Sequence, residues 1–195
     1  SSRRFERYLA RYLESDLPEL AVDVGGARFP VVKLREDVAI VALCSAVPRA
    51  PLVAAGELGE AQVTALARVL AHPEVSSRTA VVALHHPAVD GWSGLKAHVE
   101  GLRDAGALLA ELRPLAAGLL VHGHLHRRIQ RTVPTDAGAL LQVGATSASL
   151  HHDDPDRMAG FNVYDVAAGT ATRVEAQVYS PSDGTFHVAS VPRHA

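Results

Sequence analysis

Histidine is the residue type in this chain whose placement suggests chemistry. Leu119-Leu120-Val121-His122-Gly123-His124-Leu125-His126 is an apolar run that ends in three histidines at alternate positions. Such a run reads as a buried strand entering a loop. Gly123 permits a tight turn or a close approach. Side chains at i and i+2 of an extended segment point the same way, so His124 and His126 are expected to offer imidazoles toward one point. Neutral imidazole is the commonest protein metal ligand, and a histidine with an ordinary pKa of ~6.5 is largely neutral at pH 7. A lone histidine at a strand end is ordinarily just hydrogen-bonded. For Gly-His-x-His the metal reading comes first. Val81-Val82-Ala83-Leu84-His85-His86-Pro87 repeats the design: a β-branched run, histidine at its edge, then proline to stop the ladder. His86, next to His85 on an extended segment, is expected to point the other way. The chain holds 11 histidines in 195 residues, which again draws attention to metal.

The elements that must carry these residues follow from the hydrophobic pattern. Residues 4–13 read as an amphipathic helix, with Phe5, Tyr8, Leu9, Tyr12 and Leu13 on one face. Gly25-Gly26 is a turn. Phe29 to Leu34 and Val38 to Leu43 read as two strands of a hairpin about Arg35-Glu36-Asp37. Gly59 to His72 is a helix closed by Pro73, and Thr79 to Leu84 is the strand that delivers His85. A loop with Asp90, Gly91, Trp92, Ser93 and Gly94 follows. Trp92, the only tryptophan, belongs either to the core or to the wall of a substrate cleft. Leu102 to Leu112 is a helix, and Gly118 to Val121 is the strand that ends at the histidines. Arg127 to Val133, Ala139 to Val143, Phe161 to Val166, Thr170 to Tyr179 and Thr185 to Ser190 continue as strands. His151-His152-Asp153-Asp154-Pro155-Asp156 reads as a solvated loop. Strand and helix alternate and then give way to a meander. That order predicts a single-domain α/β layered sandwich over 1–195 with helices on one side and the site at strand ends.

Composition narrows the function classes. The chain is 48% hydrophobic, enough for a core without staples. The net charge of −2, without a long charged run, gives no footprint for nucleic acid. No apolar stretch reaches membrane-spanning length, and Ser1-Ser2-Arg3-Arg4-Phe5-Glu6 is not a signal peptide. The expected setting is cytoplasmic. Cys44 stands alone, which excludes an intrachain disulfide. It reads as a buried small hydrophobe rather than a reactive thiol.

These residues carry a resemblance to the calcineurin-like metallophosphoesterases. Val81 to Pro87 resembles the family's H-x-P element, and Val121 to His126 its G-H-x-H element. Gly56-Glu57-Leu58-Gly59 with Gln62 and Leu66 is similar to the family's G-x-L-x-x-x-Q-x-x-x-L helix entry. Gly144 to Ser149 and Phe161-Asn162-Val163-Tyr164 are similar to the segments that follow. The resemblance implies a partial αββα sandwich, with mixed β-sheets flanked by helices. It implies hydrolysis of phosphomonoesters or phosphodiesters with two divalent metals (Mn, Fe or Zn) in the complete enzyme. By the match, His85 and His124 would bind the second metal and His126 the first, and these three are the expected catalytic residues. His122 is expected to be a neighbour of the site rather than a ligand.

The same resemblance shows a gap. The family's D-x-H, G-D-x-x-D and G-N-H elements have no counterpart here, so the chain is similar to the C-terminal half of such an enzyme. The bridging carboxylate and the G-N-H asparagine and histidine are absent. Three expectations follow: part of a metal-dependent phosphoesterase, nearly inactive alone; a non-catalytic binding or scaffold module; or a half-enzyme completed by another chain. The partner implied is a small phosphate ester, with a complementing N-terminal segment or a homo-oligomer as the assembly.

Overall fold

The computed structural model describes residues 10–167 and 173–194. Residues 10–13 are helical. The rest of the helix expected over 4–13, like residues 170–172 of the strand expected from Thr170, lies outside the described residues. The architecture is mixed α/β, with one large mixed sheet between a helical layer and a smaller sheet.

Eleven strands occur among the described residues. A small hairpin pairs β1 (Val22–Val24) with β2 (Ala27–Phe29). The large sheet contains β3 (Val31–Arg35), β4 (Val38–Ala42), β5 (Thr79–Leu84), β6 (Gly118–His122), β7 (Ile129–Pro134) and β8 (Ala139–Gly144), in the order β3-β4-β5-β6-β8-β7. Strands β4, β5, β6 and β8 run parallel, and the antiparallel β3 and β7 close the two edges. The helices α1 (Glu60–Ala71) and α2 (Pro73–Ser76) connect β4 to β5, while α3 (Gly94–Glu100) and α4 (Ala105–Leu112) connect β5 to β6. The small sheet has the order β11-β10-β9, from β9 (Gly160–Asp165), β10 (Arg173–Ser180) and β11 (Thr185–Ser190).

Strand alternation sorts the large sheet into two apolar faces. Val41, Ala80, Val82, Leu120 and Leu140 face the helices and pack with Leu66, Val69, Leu70, Leu108 and Leu112. Val81, Leu119, Val121, Leu141 and Val143 face the small sheet and meet Tyr164, Val174, Ala176 and Val178. Parallel central strands covered on both faces explain why these segments read as continuous apolar runs.

Two buried glutamines fix the strand ends near the histidines. Gln62, on α1, accepts from the Cys44 N–H at 2.8 Å and donates to the Cys44 and Leu58 carbonyls at 2.8 and 3.0 Å. It ties the exit of β4 to the start of α1. Gln142, on β8, accepts from the Val89 N–H at 2.9 Å and donates to the Val89 carbonyl at 2.6 Å. It ties the loop after His86 to the sheet. Cys44 itself is half-buried, not enclosed as the apolar run suggested, because the chain leaves the sheet there.

Candidate functional site

Leu84 on β5 lies in register with His122 on β6, so both strands end at one edge of the sheet. The chains beyond them run side by side: the Gly123 N–H donates to the His85 carbonyl at 3.1 Å. This brings His85 and His124 together. His85 Nε2 and His124 Nδ1 are 3.3 Å apart, and the rings meet edge to face with centroids 5.1 Å apart. Carboxyl ends of parallel strands are where α/β sheets generally place their sites.

The third histidine of the group is His86, not His126. Ligand atoms of His85, His86 and His124 lie within 4.8 Å of one another. His86 was expected to point away from the site. Instead its ring packs 4.4 Å from that of His124 and 5.0 Å from that of His85. The alternation rule does not apply, because the strand ends at Leu84 and the chain bends at His85 and His86 before Pro87. His86 is buried, and both ring nitrogens are engaged. Nε2 donates to the Ala54 carbonyl at 2.8 Å, and Nδ1 faces the Ser45 hydroxyl at 2.8 Å. The ring is therefore a floor beneath the other two, tied to the framework on both sides. Gly56 makes room for it, since a Cβ there would overlap the imidazole.

His126 is exposed and lies outside this group. The segment from His124 to His126 is not extended: His124 has φ 59° and His126 φ 47°, both left-handed. Few residues other than glycine take that conformation, although histidine does so more often than most. The i and i+2 argument for convergence of these two therefore fails. His126 nonetheless stays near enough for its charge to act on His85.

Electrostatics favour neutral rings. Burial pushes His124 down to about 4, reinforced by His86 and His85 and opposed by the Glu100 carbonyl hydrogen-bonded to it and by the Glu100 charge. His85 is lowered by burial first, then by His86 and His126. His122 is also pushed to about 4, chiefly by burial, with the Gly123 carbonyl opposing. Its Nδ1 lies 3.0 Å from that carbonyl, and its buried Nε2 has no hydrogen-bond partner among the described residues. His122 is a neighbour of the site, as expected, enclosed behind it.

The donor set suits a divalent cation. The 3.3 Å nitrogen separation equals the edge of a tetrahedron with Zn–N bonds of ~2.0–2.1 Å. Both rings have depressed pKa values, so each is neutral at pH 7 and keeps one nitrogen lone pair for a cation.

Neither Glu100 nor Lys96 belongs to a motif that sequence reasoning could single out. Trp92 is half-buried, its ring 6.2 Å from His124, and the Lys96 ammonium lies 4.3 Å over the indole. No family model matches the chain, and no curated protein matches it.

Proposed function

We propose that the chain is part of a metal-dependent phosphoester hydrolase and supplies the histidine half of its metal centre. The observation that carries this reading is the pair of neutral imidazole nitrogens 3.3 Å apart at the ends of adjacent parallel strands. His85 and His124 would hold a divalent cation, with His126 as a ligand of the other ion by the family resemblance. The cation would supply Lewis acidity toward a phosphoryl oxygen. The layered α/β/β architecture agrees with one side of a partial αββα sandwich.

The residues of this chain orient and desolvate. His86 holds the two ligand rings from below, through Ser45 and Ala54. Gln142 and Gln62 hold the loops that flank them. No carboxylate belongs to the histidine group among the described residues. Imidazoles alone do not offset the repulsion between two dications, so full activity requires the anionic ligands of the family's first half, from the same polypeptide or from another. That all-imidazole donor set also favours a second reading, a binding module that takes one ion without hydrolysis.

The test is an assay with bis(4-nitrophenyl) phosphate and Mn²⁺. It compares this chain, a version carrying D-x-H, G-D-x-x-D and G-N-H elements, and that version with His124→Ala. We expect near inactivity for the first, hydrolysis by the second and loss of most rate in the third. Equal rates for the first two would contradict the dinuclear reading, and inactivity of all three would favour the binding module.

A further inference from the structure

The rim of the histidine cluster carries two side chains that metal binding does not use. Trp92 stands beside His124, ring planes inclined at 65° and centroids 6.2 Å apart. Lys96, one turn into the following segment, sets its ammonium over the indole at 4.3 Å. The segment is anchored at both ends. The Trp92 N–H donates to Asp90 Oδ1 at 2.8 Å. At the far end the Gly101 carbonyl accepts from the Gly56 N–H at 3.0 Å, the same Gly56 that His86 packs against. Trp92 and Lys96 are thus held by the framework that holds the histidines.

Packing does not account for them. Helix α3, which carries Lys96, has no buried residue. Lys96 forms no ion pair among the described residues. An ammonium over an indole is a modest attraction at an exposed site, ~0.5–1 kcal/mol, so it is readily exchanged for an anion. The indole offers a large rigid surface with little entropy to lose on binding. The guanidinium of Arg131 lies against Gly91 on the same loop, adding positive charge to this rim.

We propose that Trp92 and Lys96 form a subsite for the organic group of an aromatic phosphate ester. The flat ring stacks on Trp92 and the phosphate, seated at the histidines, pairs with Lys96. This rests on the phosphoesterase reading above and adds a substrate class to it: aryl rather than alkyl esters.

The experiment uses phenylphosphonate and methylphosphonate, which carry the same anion and cannot be hydrolysed as esters. Each is titrated calorimetrically into the Zn²⁺-loaded chain, with the fluorescence of the sole tryptophan as a reporter at the site. We expect phenylphosphonate to bind about tenfold tighter, as one aromatic contact allows, and to quench Trp92. Trp92→Ala should bring the two ligands to within about twofold of each other, and Trp92→Phe should keep most of the preference. Lys96→Met should weaken both by a similar factor, about threefold to tenfold. Equal affinities in the parent, or a preference that survives Trp92→Ala, would overturn the subsite and leave the phosphoesterase reading standing. Failure of both phosphonates to bind the parent would likewise overturn the subsite, while the phosphoesterase reading rests on the hydrolysis assay above. Trp92→Phe, which keeps the ring, guards against loss through misfolding.

Discussion

His122 is buried at the end of β6 with one ring nitrogen unpaired among the described residues, and it takes a proton only at a cost. Its pKa of about 4 in the fold lies below the ordinary 6.5, so the unfolded chain binds the proton first as pH falls. The resulting stability is complete above pH ~6.5, declines as pH drops and is lost below about 4; at ~1.36 kcal/mol per pH unit it amounts to at most about 3 kcal/mol. His124 adds in the same direction, but it is half-exposed and solvent screens its share. Urea unfolding of the metal-free chain at pH 7 and pH 4, with His122→Leu alongside, measures the effect. The variant should lose clearly less stability than the parent over that interval; equal losses would show that His122 is not the group that titrates. A second expectation concerns Gly56. Gly56→Ala places a Cβ in the His86 ring and should cost about 1–3 kcal/mol. In thermal melts the penalty should shrink when His86→Ala is added, because the clash is then gone. His85 and His124 were legible in the sequence because each closes an apolar strand run. The inward turn of His86 was not, since a bend before Pro87 breaks the alternation that sequence reasoning relies on. Nor were the left-handed conformations of His124 and His126, at residues other than glycine.

At the scale of elements, Gln62 holds the exit of β4 against α1. Gln62→Ala leaves the Cys44 N–H and two carbonyls without their partner. Buried groups left unpaired cost ~1–3 kcal/mol each where water cannot reach them, so a total loss of about 2–4 kcal/mol is expected in denaturant melts. A change below about 0.5 kcal/mol would mean that the loop relaxes to satisfy these groups. Most elements were readable from apolar periodicity: Thr79–Leu84 and Thr185–Ser190 have the bounds read from the sequence, and Glu60–Ala71 differs by one residue at each end. The misses have local causes. Strands β1 and β2 are three residues each, too short to show a period around the turn at Gly25-Gly26. Helix α3 buries nothing, so its sequence carries no apolar stripe, and the pattern assigns no element to most of it. Helix α2 was hidden because Pro73, taken as the end of α1, opens a further turn.

At the scale of the whole molecule, the outward face of the small sheet is mixed, with apolar residues of β9 and β11 on either side of Glu175 and Gln177 of β10. Phe161, Val163, Phe186 and Val188 are all exposed there, with the rings of Phe161 and Phe186 5.4 Å apart. Exposed apolar side chains grouped in this way favour association. Light scattering should therefore show self-association that Val188→Lys reduces; a monomer at all concentrations would contradict this. The layers were foreseeable from the order of strands and helices, but the covering of the second face by β9–β11 depends on long-range packing that no local pattern encodes. No helix among the described residues is long and apolar enough to cross a membrane. The claim on which the functional reading depends is that the large sheet brings His85 and His124 together as ligands of one cation. Calorimetric titration of Zn²⁺ into the parent, His85→Ala and His124→Ala tests it most directly. The parent should bind about one ion per chain, as one open set of imidazoles allows, and each variant should bind at least about tenfold more weakly, since removing a ligand costs no less than removing its supporting contact. Undiminished binding by both variants would contradict the metal centre.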